Sequence, residues 1–184
     1  NFSLNNERKS GLLTPTAGST SKSGIEFTQP FYWNIAPNMD ATVAPRYMEK
    51  RGMLWNGEYR YLQSSYSGTI NGQYLNEDKL ENDIRRSSYS VKHRQNFGYG
   101  LYGSLDLNGV SDDTFFSDLG SGAGVVSRTN LLRQGTLSYS GGWWSANLLA
   151  QRYQTLQDPD LPPVTEPYRR LPQVTVTASR GDLP

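Results

Sequence analysis

The residues able to do chemistry are few, and their spacing argues against a catalytic centre. His93 is the only histidine in 184 residues and there is no cysteine, so the usual zinc sets of Cys and His ligands cannot be assembled. A Ser–His–acid relay would have to use His93, which strand alternation places on an outward face. Asp112, Asp113 and Asp118 cluster around Phe115 and Phe116. Carboxylates in a loop can hold a divalent cation through oxygen, but this spacing matches no calcium loop and reads as ordinary turn chemistry. Gly120, Gly122 and Gly124 imitate a phosphate loop with no strand leading in and no helix following. The chain is read as non-enzymatic, with no metal or cofactor site.

The elements that would position these residues are strands. Met39, Ala41 and Val43 alternate with Asp40 and Thr42, and Met53, Trp55, Tyr59 and Tyr61 with Leu54, Asn56, Glu58 and Arg60. Leu101, Gly103, Leu105 and Leu107 alternate with Tyr102, Ser104, Asp106 and Asn108, and Ala146 and Leu148 with Asn147 and Leu149. Period two puts successive side chains on opposite faces. Helical spacing is not sustained anywhere, and the chain is read as all-β. Strands are predicted at 11–20, 24–35, 39–49, 52–63, 66–76, 86–95, 99–110, 130–140, 143–155 and 172–179. Most approach the ~9–11 residues that a tilted strand needs to cross a bilayer. Tight turns are expected at Ala36-Pro37-Asn38, Ser64-Ser65, Phe97-Gly98 and Gly141-Gly142. The alternate connections include 77–85, 111–129 and 156–171, which are long and polar. Short turns on one rim and long loops on the other are the habit of outer-membrane barrels, so these three are predicted to lie on the extracellular rim.

Composition agrees with that class. Only 35% of residues are hydrophobic, yet there are 12 Tyr, 4 Trp and 18 Gly. A disordered chain would be poor in aromatics, whereas a barrel strand that meets lipid with alternate residues is polar on average. The net charge of +1 speaks against a nucleic-acid partner, which needs a basic excess. Arg8, Arg51, Arg85, Arg86, Arg169 and Arg170 lie at or near predicted loops and are read as solvated charges. Asn56, Glu58, Arg60, Asn71, Gln73, Lys92, Arg94, Asp106, Asn108, Asn147 and Gln151 would line the interior. Charges in a packed core cost on the order of several kcal/mol each, so the interior is read as a wet lumen. The outward residues would meet lipid, with Trp33, Trp55, Trp143 and Trp144 near strand ends as interfacial aromatics. One solvated face of a soluble sheet, as in a carbohydrate-binding β-protein, is the bland alternative.

Specific motifs sharpen this. Lys9-Ser10-Gly11-Leu12-Leu13-Thr14-Pro15, Pro30-Phe31-Tyr32-Trp33-Asn34-Ile35-Ala36-Pro37-Asn38-Met39-Asp40-Ala41-Thr42, Pro45-Arg46-Tyr47-Met48, Lys50-Arg51-Gly52 and Glu58-Tyr59-Arg60-Tyr61-Leu62 follow one another in order. Tyr74-Leu75-Asn76-Glu77-Asp78-Lys79 and the stretch from Val110 to Leu119 continue the series. Together they resemble the start of the barrel of the LptD family, the lipopolysaccharide-assembly (organic solvent tolerance) proteins. Beyond about residue 130 the likeness rests on strand pattern.

The resemblance implies a bacterial outer-membrane protein in which a periplasmic jelly roll precedes a barrel of about two dozen strands. It implies lipopolysaccharide as cargo, the lipoprotein LptE as a plug in the lumen, and periplasmic Lpt bridge proteins reached through an N-terminal domain. Residues 1–10 would end the preceding periplasmic region or a linker, and 11–184 would be the first nine or ten barrel strands, with both ends cut. The family associates prolines matching Pro15 and Pro30 with a lateral gate through which acyl chains leave while sugar passes through the lumen. Proline donates no backbone hydrogen bond. Pro45 falls in the third predicted strand, away from the expected seam, which suits simple edge blunting. A porin-like barrel for small solutes is the other reading.

Overall fold

The computed structural model describes residues 9–120, 129–157, 162–165 and 167–179. All ten predicted segments form strand, and the first two are each divided at a proline, which gives twelve. They are β1 (Gly11–Leu12), β2 (Thr16–Thr20), β3 (Gly24–Thr28), β4 (Phe31–Ala36), β5 (Met39–Met48) and β6 (Gly52–Leu62). They continue as β7 (Tyr66–Asp78), β8 (Ile84–Gly98), β9 (Leu101–Val110), β10 (Asn130–Ser140), β11 (Trp144–Thr155) and β12 (Arg170–Ala178). From β4 to β12 each strand pairs antiparallel with its neighbour in sequence, in a single sheet. β1 pairs β4, while β2 pairs β3 and β3 pairs β5. Among the described residues the sheet stays open between its two ends.

The turns refine the expectation. The β8–β9 hairpin closes at Tyr99-Gly100, two residues beyond the predicted Phe97-Gly98. Tyr99 and Gly100 have φ of 50° and 80° between the paired Gly98 and Leu101, the positive-φ pair that a right-twisted hairpin requires. A tyrosine at positive φ is uncommon, which is why the sequence pointed instead at the neighbouring glycine. The long-loop rim is also uneven. It carries tight connections at 21–23 and 49–51 beside the long 111–129 and 156–169. Residues 121–128, including Gly122 and Gly124, lie outside the described residues.

Cross-strand register fixes two faces. All eleven residues expected to line an interior lie on one of them. Asn56 pairs Gln73 and Glu58 pairs Asn71, Lys92 pairs Asp106, Asp106 shares its row with Gln134, and Gln134 pairs Gln151. The other face reads Tyr66, Gly68, Ile70, Gly72 and Tyr74 along β7, and Leu101, Gly103, Leu105, Leu107 and Gly109 along β9. It stays open to its surroundings: Ile70 is 41% exposed, Leu105 44% and Trp55 50%. Aromatic rings cluster at its two ends. Near the tight turns Tyr61, Tyr66 and His93 stand with ring centroids 5.9–6.2 Å apart, and Tyr139 lies 4.4 Å from Trp144. Towards the long loops come Trp55, Tyr74 and Tyr89. His93 sits on this outward face, as expected, where its Nδ1 shares a 2.7 Å hydrogen bond with the Tyr61 hydroxyl.

Among the described residues the one departure from all-β is α1 (Phe115–Leu119). Five residues are too few to show a helical period, so no periodicity announces it. It packs towards the polar-face side, with Phe115 and Leu119 buried alongside Met48, Leu54 and Leu75.

Candidate functional site

The first hairpin is broken at the same height in both of its strands. Its lower half joins Leu12 to Phe31 and its upper half joins Thr16 to Thr28, which leaves residues 13–15 opposite 29–30. Pro15 and Pro30 stand in that gap and have no N–H to offer it. One backbone bond crosses it, Leu13 N–H to the Pro30 carbonyl at 2.9 Å. The Gln29 side chain supplies a further donor, its amide reaching the Leu13 carbonyl at 2.9 Å and the Pro30 carbonyl at 3.1 Å. Pro45 is not remote from this feature. Register places it across from Gln29, whose N–H donates to the Pro45 carbonyl at 3.2 Å. Pro15 and Pro45 thus flank Gln29 from either side and Pro30 follows it directly, a juxtaposition that spacing in sequence does not reveal.

The polar face is a hydrogen-bonded lattice. The Gln73 amide donates to Asn56 Oδ1 at 2.7 Å, Ser90 to Asn108 at 2.7 Å, and Asn108 to Asp106 at 2.7 Å. Arg60 holds Asp40 through two bonds of 2.7 and 2.8 Å. Polar residues half-buried in this way satisfy one another and still present charge to the space beside the sheet.

Towards the long-loop rim this face closes over. Arg51 and Arg86, expected as solvated charges, are buried, whereas Arg85 is exposed. Arg86 grips Asp112 with two bonds of 3.0 and 2.5 Å, and its Nη1 reaches Asp78 at 2.8 Å and Asp118 at 3.0 Å. Arg51 holds the same Asp78 oxygen at 2.6 Å. Three carboxylates thereby compensate Arg86, the condition for burying a charge. Alternation puts Arg86 on the inner row, opposite Leu75, and this parity was legible; its proximity to a strand end suggested water instead. Asp112 and Asp118 of the acidic cluster are therefore counter-charges for Arg86, and Asp118 also for Arg51. The same segment holds the upper half of the first hairpin. Lys22 donates to the Ser117 carbonyl at 2.8 Å, and Arg46 joins Glu26 at 2.6 Å to the Leu119 carbonyl at 2.8 Å.

Burial alone would raise the Asp112 carboxyl, but hydrogen bonds from Arg86, Ser111 and Thr114 outweigh it and hold the carboxyl below its ordinary value of 3.8. A lowered carboxylate contributes stability that is full above the unfolded value and is lost as pH falls through the folded one. In an acid titration of the full-length protein, Asp112→Asn should remove part of the destabilisation below about pH 4. An unchanged acid-unfolding curve would show that Asp112 is not a determinant.

Comparison with known proteins decides the family. The model described as LPS transport system D matches residues 83–184, and that described as LptD protein matches residues 1–108. The LPS-assembly protein LptD of Azoarcus sp. (strain BH72) is 55% identical over all of this chain. The chain belongs to the LptD family. The LptD proteins of Nitrosomonas europaea and Bordetella pertussis are 44% and 43% identical over 100% and 98% of it. The chain spans 22%, 26% and 23% of the length of these three relatives. The strand-for-strand match between predicted and observed segments continues past residue 130, where motifs had thinned, and the first of the two family models covers that part as well.

Proposed function

We propose that this chain is part of the wall of an outer-membrane barrel that delivers lipopolysaccharide to the outer leaflet. The polar face borders a wet lumen for the saccharide, and the broken first hairpin forms one side of a lateral gate for the acyl chains. One observation carries the reading. At an open edge of a two-faced sheet, both strands of the first hairpin lose their ladder at one height, at Pro15 and Pro30. The faces support it. Apolar residues left open to their surroundings between two aromatic belts suit hydrocarbon, where every backbone group has to be paired within the sheet. No helix among the described residues is long and apolar enough to cross a membrane, and a crossing by strands needs none. The family membership supports lipopolysaccharide as cargo, LptE as the lumenal partner and periplasmic bridge proteins as the suppliers.

A polar saccharide and several acyl chains differ too much for one pathway, and a seam that parts sideways lets both move together. Weak pairing at that seam lowers the cost of parting. Replacing Pro15 and Pro30 with Ala in the full-length protein offers two donors to the gap and should stiffen it. Lipopolysaccharide at the cell surface is expected to fall while heat-modifiable mobility shows a folded barrel. Undiminished delivery by a folded double variant would leave the prolines with edge blunting alone.

A further inference from the structure

The apolar face carries a pair of arginines that neither the lumen nor the gate uses. Arg133 of β10 and Arg152 of β11 are direct cross-strand partners, and both have the parity of Leu105, Leu107 and Leu148. Like charges placed opposite one another destabilise a sheet, and a cation on a lipid face adds its own cost. The pair is nevertheless built in. Arg133 donates to the Asn108 carbonyl at 2.9 Å and to Gln154 at 2.6 Å, and its guanidinium lies 5.9 Å from the centre of the Tyr89 ring. Gly109 makes room, since a Cβ there would stand 2.7 Å from the Arg133 Nη2. Arg152 is exposed and has no hydrogen-bond or ion-pair partner among the described residues.

Height along the strands points to the chemistry of a partner. Arg152 lies ten residues beyond Gly142 in the tight turn, and Tyr74 lies nine beyond Ser65, so the arginines stand level with the aromatic belt nearer the long loops. Below them the same face is apolar down to Leu148 and Leu105. An anion at the arginines with hydrocarbon below is the outline of one lipid molecule. We infer that Arg133 and Arg152 bind the phosphate of a phosphorylated lipid headgroup in the outer leaflet, on the outside of the sheet. The inference rests on the reading that this face meets lipid. A planar guanidinium suits phosphate recognition, and an anion shared by two of them offsets the repulsion between the two cations.

The test uses the full-length protein in lipid nanodiscs, with diphosphoryl lipid A or its phosphate-free counterpart at equal mole fraction. Bound lipid is counted by native mass spectrometry after transfer to detergent. The wild type should retain diphosphoryl lipid A about tenfold more strongly than Arg152→Ala, as for one charge-assisted contact, and should not favour the phosphate-free lipid. Arg152 makes no structural bond, so this variant should fold; Arg133→Lys keeps a positive charge and should bind at an intermediate level. Equal retention by wild type and Arg152→Ala overturns the site. So does displacement by millimolar inorganic phosphate, which would mean an anion site indifferent to lipid. A fluorophore on Leu148→Cys separates the two readings. Quenching by brominated acyl chains without headgroup preference overturns the arginine site alone, whereas no quenching overturns the lipid-facing assignment itself.

Discussion

Arg86→Gln in the full-length protein is expected to lower stability by about 3–5 kcal/mol, the usual cost of removing one partner from a buried ion pair. Asp78 is fully buried and shares its Oδ2 between Arg51 and Arg86. With Arg86 gone, two of the carboxylates around it, Asp78 and Asp118, retain only Arg51. Asp112 loses its two-pronged partner altogether. The helical turn α1 is tied in by the same side chain, which also lies 5.7 Å from the Phe115 ring centre. The variant should therefore loosen α1 as well as destabilise the sheet. Arg85→Gln is the matched control: it changes the same charge one position away, on an exposed side chain, and should stay within about 0.5 kcal/mol. Urea unfolding followed by tryptophan fluorescence reads both. Similar midpoints for the two variants would mean that the ionic cluster contributes little.

That cluster marks where reading the sequence stopped short. The strands were legible because a period of two is written locally, in runs such as Leu101 to Asn108, and needs no knowledge of the partner strand. The two faces were legible for the same reason. All eleven expected interior residues share one face because each strand repeats the polar and apolar alternation, including those reached through the long 111–129 connection. Arg86 differs from its expected solvated state because its surroundings are set by residues 112–118, which lie beyond the end of β9 and bond back to β8. Nothing in Asp112-Asp113-Thr114-Phe115 announces that the Asp112 carboxylate is aimed at a strand residue 26 positions earlier. The proline cluster is similar. Pro15, Pro30 and Pro45 are individually visible, but their alignment depends on the register of three strands. Gln29, which bridges the break, carried no signal at all, being one polar residue among many in a polar chain.

The two faces also make the sharpest energetic distinction in the molecule. Leu105 stands midway along β9 on the apolar face, between the aromatic belts, and is 44% exposed although it is a large aliphatic residue. In water such a surface would be an association hazard; against hydrocarbon it is the ordinary state. On the proposal that this face meets lipid, Leu105→Arg places a cation among acyl chains, and barrels lose ~2–4 kcal/mol for this at mid-membrane depth. The comparison belongs at a neighbouring strand on the opposite face. Asn108 is a poor choice, because its side chain bonds Asp106, Ser90 and the Leu132 carbonyl, and any substitution there loses those bonds as well. Gln134 is cleaner. It neighbours the strand position opposite Leu105, its side chain points the other way, and its register partners are Asp106 and Gln151. Gln134→Arg adds the same charge beside a carboxylate on a polar face and should cost no more than about 0.5 kcal/mol. Folding the two full-length variants into lipid vesicles and measuring their unfolding free energies reads the difference directly. A gap of 2 kcal/mol or more, on the order of the lipid-face cost, is the expected result. Equal losses would mean that both faces meet water, and neither the lumen nor the lateral gate would survive that outcome.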